Sequence, residues 1–262
     1  MRLILFVLSL MIFVNFTYGQ EKTSWKGKKC AVVLTYDDAL NVHLDNAIPI
    51  LDSLGFKGTF YLSGNFPGSK NRVADWKKAA QTGHELANHT LFHPCTGNTP
   101  GREWVRPDYD LSKYTIGRLV DELRMTNTFL ESLDGKKKHT FAYPCGDTSI
   151  GGGSFIDKIK DDFVSARGVK SEMATMKNVD LFNVPAYGIN GEPGSELVAL
   201  VKKAIEANSM LVFLFHGVGG EHNLNVSLPA HRELLKFLKT QEKEIWVATF
   251  MEATEFVKAN RK

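Results

Sequence analysis

Short apolar, β-branched or aromatic runs alternate along this chain with longer amphipathic stretches, and that switch of period is what most limits its fold. Residues 31–36, 58–62, 139–143 and 211–215 read as buried strands that stop at Pro, Gly or a polar cluster. Between them, residues 44–54, 76–82, 116–133, 195–208 and 228–241 place apolar side chains at helical spacing, and residues 155–163 continue that reading. Residues 245–248 read as a last short strand before a helix from Met251. Strands that alternate with helices pair in parallel, because each crossover helix returns the chain to the same edge of the sheet.

In such a sheet, ligands and reactive groups collect where strands end and loops begin. Asp37 and Asp38 close the run 31–36, and His216 closes the run 211–215, so both clusters fall at strand C-terminal ends. Neighbouring aspartates point different ways and can divide two tasks, one holding a cation and one handling protons; alternatively the pair is a helix N-cap. His89 and His93 stand four apart, which puts both rings on one face if the segment turns helically. Two neutral imidazoles and a carboxylate oxygen suit zinc and neighbouring divalent metals, and three protein ligands leave positions for water and substrate. The other reading is a histidine-rich loop used for capping. Residues 139–147 form a further strand stopped by Pro144 and Gly146, so four strand-end clusters would face one crevice.

Thr35-Tyr36-Asp37-Asp38, Gly83-His84-Glu85 with His89-Thr90 and His93-Pro94, Phe141 to Gly146, and Leu214-Phe215-His216-Gly217 resemble the ordered motifs of the NodB-homology polysaccharide deacetylases, carbohydrate esterase family 4. The resemblance runs over residues 28–258; its first two motifs are specific and its last two weak. It implies an α/β fold, a distorted (β/α) barrel of about seven parallel strands. It also implies one divalent ion, Zn2+ first with Co2+, Ni2+ or Mn2+ as alternatives, held by Asp38, His89 and His93. Asp37 becomes the base and His216 the acid in the attack of metal-activated water on an acetyl carbon. A backbone N–H near Tyr143, Pro144 and Cys145 is expected at the oxyanion. No acyl-enzyme is required, and the chain has no Gly-x-Ser-x-Gly elbow of the serine esterases.

One position departs from the family pattern. An arginine commonly pairs there with the catalytic aspartate, and this chain has Ala142. A carboxylate without a cation is less firmly held in its charged form. Arg167, at the end of the next expected strand, is the candidate for the missing guanidinium; otherwise it is a surface arginine. The departure also leaves open a carbohydrate-binding protein with the same fold and impaired catalysis.

Arg2 followed by the apolar residues 3–16 and the small-residue stretch at 17–19 reads as a secretory signal peptide, leaving residues 20–262 as one catalytic domain. The hydrophobic run is short for a membrane span, so a mature chain without an integral membrane segment, secreted or periplasmic, is expected, with an uncleaved anchor as the alternative. The formal net charge of +3, with both signs interspersed, does not point to nucleic acid. Of the three cysteines, Cys95 and Cys145 could bridge at the rim in an oxidising compartment, and Cys30 reads as a small buried side chain. The long loop from Cys95 to Lys113 offers Trp104 and Tyr109 as a sugar platform, or as anchors of the loop to the barrel. His222 either reaches substrate or caps a turn. The substrate class is an acetylated oligo- or polysaccharide, N- or O-linked, with a non-sugar amide as the alternative; the oligomeric state is not legible.

Overall fold

The computed structural model describes residues 24–261, so the expected leader at residues 1–19 lies outside the described residues. One eight-stranded sheet organises the molecule: β1 (Cys30–Asp37), β2 (Thr59–Leu62), β3 (Glu85–Asn88), β4 (His139–Ala142), β5 (Phe163–Arg167), β6 (Tyr187–Gly188), β7 (Met210–Phe215) and β8 (Ile245–Ala248). Every pairing in it is parallel, in the order β5-β4-β3-β2-β1-β7-β6, with β8 against the first half of β1. The sheet curls until irregular chain joins its edges. Val184 exchanges hydrogen bonds with Ala166 and Gly168 beside β5, and Tyr187, just beyond, pairs with Phe213 of β7. This is the distorted barrel expected, with seven strands of ordinary length and the two-residue β6.

Strand alternation divides the core in two. Val32, Leu34 and Tyr36 of β1, Phe60 and Leu62 of β2, and Phe213 and Phe215 of β7 face outward onto Leu51, Leu197, Val201 and Leu234 of the helices. Ala31, Val33, Tyr61, Ala87, Ala142, Val212 and Leu214 face the barrel interior, where small side chains at several positions keep the lumen narrow. The same parity carries Asp37, His89 and Arg167 to the inner face, one strand-end after another.

The helices are α1 (Ile48–Leu54), α2 (Pro67–Asn71), α3 (Val73–Gln81), α4 (Ile116–Asp134), α5 (Ile156–Ile159), α6 (Gly194–Ala207), α7 (Leu228–Thr240) and α8 (Phe250–Asn260). The Thr115 hydroxyl caps the start of α4, and Gly135 at φ 73° ends it. A reciprocal Thr249–Glu252 capping box starts α8, which packs Phe250, Ala253 and Val257 into the lumen. There the buried Glu85 carboxylate accepts from Met251 N at 2.9 Å, Thr59 Oγ1 at 2.8 Å and Thr140 Oγ1. Two readings shift: residues 155–163 are helical only at 156–159, and residues 43–47 form one wide π turn before α1.

Three buried histidines that are not among the expected metal ligands, His43, His84 and His231, make stability depend on pH. Burial holds His43 and His84 down to about 4 and His231 down to about 3, against an ordinary 6.5. His43 accepts or donates nothing at Nδ1 and faces His216; His84 lies between Gly58 N and Asp52; His231 meets Tyr36 Oη at 2.9 Å. A folded-state value below the unfolded one means that stability is present above about 6.5 and is lost as pH falls towards 4. The metal-free protein is expected to lose roughly 1 kcal/mol per histidine for each pH unit below about 6.5, read as a falling urea midpoint between pH 7 and pH 5. An unchanged midpoint would mean that these imidazoles are not buried neutral.

Candidate active site

Asp37 is the last residue of β1, and Asp38 turns away from it at φ 79°, a backbone region that side chains seldom occupy. The turn separates the two carboxylates. Asp37 faces Arg167, and Asp38 faces the imidazoles of His89 and His93. The Asp38 Oδ1 oxygen lies 3.6 Å from His89 Nε2 and 3.5 Å from His93 Nε2, and it has no hydrogen-bond partner although buried. Donors about 2.1 Å from a common tetrahedral centre would stand about 3.4 Å apart, so these three atoms fit a shared cation.

Protonation agrees with that fit. Burial holds His89 down to about 3 and His93 down to about 4, so both rings are neutral at pH 7. His89 Nδ1–H donates to Ala142 O at 2.8 Å, which leaves Nε2 as a bare lone pair. Burial, with the neighbouring Asp37 charge, pushes Asp38 up to about 6.

The rings of His89 and His93 meet at 4.8 Å, but no helix brings them together. Residues 85–88 are strand, and the loop that follows carries Thr90 at φ 67° and His93 at φ 54°. The left-handed residues, not an i, i+4 helical face, swing His93 back over the strand end. His93 N is held by Thr90 Oγ1 at 2.8 Å.

Arg167 is fully buried, and its Nη2 donates to Asp37 Oδ2. Ala142 of β4 and Arg167 of β5 are directly paired across the strands, so the guanidinium occupies the space beside the small residue. Its Nη1 donates to Gly168 O at 3.0 Å, and the Tyr61 ring lies beneath it at 5.0 Å. Burial pushes the Asp37 carboxyl up, but Arg167, His89 and His216 together outweigh it and hold the group below the usual carboxylate range. Asp37 is therefore an ionised carboxylate, with Oδ1 unpartnered.

His216 follows β7 directly. Its carbonyl is bound by His43 Nε2 at 2.7 Å, and its ring stacks on His222 at 4.8 Å with planes 14° apart. Burial holds its imidazole below the usual range, against the pull of Asp37 and Asp38. His222, left open on sequence, lines the site: its Nδ1 accepts from Leu224 N at 3.0 Å, and its Nε2 stands 3.9 Å from Asp38 Oδ2. Tyr61 and His43 were not singled out. Tyr61 pairs directly with Asp37 across β1 and β2, a register that the sequence alone does not announce.

In the turn after β4, the Tyr143 N–H donates to Arg167 O and Pro144 has none. Gly146 N and Asp147 N donate to Tyr143 O and Pro144 O, which leaves the Cys145 N–H as the donor of this turn without a partner among the described residues. Cys145, at φ 55°, is bonded to Cys95. Beside His93, a cleft of about 260 Å³ is lined by Asn65, Phe66, Phe92, Trp104 and Tyr109. Tyr109 is stacked on Phe92, planes 9° apart, whereas Trp104 stays 57% exposed. Of the two aromatic candidates, Tyr109 pins the loop and Trp104 presents a free face.

Among the described residues, no helix is long and apolar enough to cross a membrane. Residues 25–150, which include Asp37, Asp38, His89, His93 and Cys145, match the family model of polysaccharide deacetylases. The Bacillus subtilis protein YlxY is 37% identical over 106 residues, 40% of this chain and 28% of that one. The chain spans only 9 to 28% of the length of the curated relatives it matches. Among solved structures, a Mycobacterium smegmatis protein under the name polysaccharide deacetylase aligns at TM-score 0.65 and 16% identity, over 89% of this chain and 91% of that one. A family 4 acetyl xylan esterase from Clostridium thermocellum, in complex with a cobalt ion, aligns at TM-score 0.53 and 16% identity, over 86% and 91%. Residues 25–150 thus match the polysaccharide deacetylase family model, and the barrel as a whole has the fold of solved structures under that name.

Proposed function

We propose that the protein is a metal-dependent hydrolase that removes acetyl groups from a carbohydrate outside the cytoplasm. The observation that carries this reading is the division of labour at β1: one carboxylate faces two neutral imidazoles, and its neighbour is held ionised by a buried guanidinium. Asp38, His89 and His93 would hold the cation, and the cobalt ion of the Clostridium thermocellum esterase supports a divalent one. A bound divalent cation supplies Lewis-acid polarisation of an acyl carbonyl and acidifies water to near neutrality.

The chain's own groups supply the rest. Asp37, kept charged and oriented by Arg167, takes the proton of the attacking water. The Cys145 N–H donates to the developing oxyanion. His216 passes a proton to the departing amine or alcohol; Asp37 and Asp38 favour its charged form, and His43 fixes its backbone. The exposed Trp104 face packs on a sugar ring. Ala142, the residue that favoured a non-catalytic binding protein, loses that force once Arg167 pairs with Asp37. The apolar leader at residues 3–16 supports an extracytoplasmic address, which in turn favours a polymer or oligosaccharide over a cytosolic amide.

Acetate release from a panel of N- and O-acetylated oligosaccharides tests this directly. Release by the cobalt- or zinc-loaded protein, abolished by chelator and restored by metal, is expected. No release from any member by metal-loaded protein would favour a binding role.

A further inference from the structure

We infer that the Cys95–Cys145 bridge is a positioning device for the site, holding the ligand His93 and the oxyanion donor in one rigid unit. The inference rests on the functional reading above. Cys95 stands two residues beyond His93, and its sulfur lies 3.7 Å from His93 Nδ1. The Nδ1–H of a ligand imidazole usually finds a carboxylate or carbonyl, as His89 does at Ala142 O; for His93 the disulfide sulfur stands at that nitrogen, beside the residue's own backbone. A bridged sulfur has no thiol proton to give, so the imidazole must be the donor and its Nε2 stays bare towards Asp38. At the other end, the bridge seizes Cys145, whose N–H is the open donor of its turn.

Both turns need an external hold, because His93 at φ 54° and Cys145 at φ 55° occupy a region where an unconstrained side chain seldom stays. The surroundings reinforce the clamp. Asp147 accepts from Thr96 N and from Arg102 Nη1, each at 2.7 Å, and Arg102 Nη2 donates to Cys145 O at 3.0 Å. The base of the Trp104 loop is tied to the same point, since Leu111 N donates to Cys95 O at 2.9 Å. His93, Cys95 and Cys145 do not form a second cation site, as the bonded sulfurs offer no thiolate.

Removing the bridge should therefore weaken the metal centre without unfolding the barrel. Cobalt titration of the Cys95→Ser/Cys145→Ser variant, with near-ultraviolet circular dichroism as the check on folding, should give a Kd about 10- to 100-fold weaker than wild type, the range seen when an outer partner of a ligand is lost. At saturating cobalt, kcat should still fall while KM changes little, because the oxyanion turn is loosened too. Should the variant misfold, wild-type protein reduced by a phosphine and capped with iodoacetamide supplies the same comparison. Each bridge takes one two-electron reduction and yields two thiols. Wild-type affinity and kcat in a folded bridge-free protein would overturn the inference. Failure of the bridged wild type to bind cobalt would overturn the metal reading along with it.

Discussion

Replacing Arg167 by Met is expected to cut turnover about a hundredfold or more while the bound metal stays at the wild-type level. The magnitude is that of losing a positioned proton acceptor. Burial is the largest influence on Asp37 and drives its carboxyl towards the neutral acid; the guanidinium is the foremost of the groups that reverse it. Without Arg167 the carboxyl is less firmly held in its ionised form and loses the group that orients it, so it is a poorer proton acceptor. Breaking one side of a buried ion pair also costs about 3–5 kcal/mol of stability, so thermal unfolding of the variant should move down as well. The register offers a sharper control. Ala142 and Arg167 are opposite each other on β4 and β5, so Ala142→Arg should restore part of the turnover in an Arg167→Ala background. Unchanged turnover in Arg167→Met would remove the guanidinium from the chemistry.

Asp37→Asn should abolish turnover more completely, by roughly a hundred- to ten-thousandfold, and again spare the metal. The amide keeps the shape and the contact with the guanidinium but has no charge with which to take a proton. His89 Nε2 stands 3.8 Å from Asp37 Oδ2, close enough that Asp37 could instead be a ligand. Metal content separates the two roles. A variant that binds the cation normally and does not turn over identifies a base; one that loses the cation identifies a ligand; full activity refutes both.

Much of this arrangement could be read from the amino acids, because the reading rests on periodicity and on the chemistry of side chains. The run 31–36 is an apolar, β-branched stretch that stops at two carboxylates, so it reads as a buried strand that ends at a polar edge. Ala142 in an otherwise familiar motif exposed a missing cation, and Arg167 on the next strand was the nearest candidate; β4–β5 pairing makes them neighbours. His89 and His93 were legible as residue types but not as conformations. Nothing in a local pattern of ordinary residues announces that Thr90 and His93 adopt left-handed backbones, so a helical turn was the natural inference. Barrel closure was equally hidden. Residues 181–188 have no strand pattern, and they join β5 to β7 through backbone hydrogen bonds whose partners are far away in sequence. His222 depends on a glycine-rich loop folding back over His216, which composition does not reveal.

Everything proposed about the chemistry assumes that Asp38, His89 and His93 grip one cation. Titrating metal-free protein with cobalt, in wild type and in His89→Ala, tests that assumption most directly. The expected result is one equivalent bound by the wild type and an affinity reduced in His89→Ala by more than the 10- to 100-fold that loss of an outer partner costs. Equal affinity in the two proteins, or no stoichiometric binding by the wild type, would contradict it.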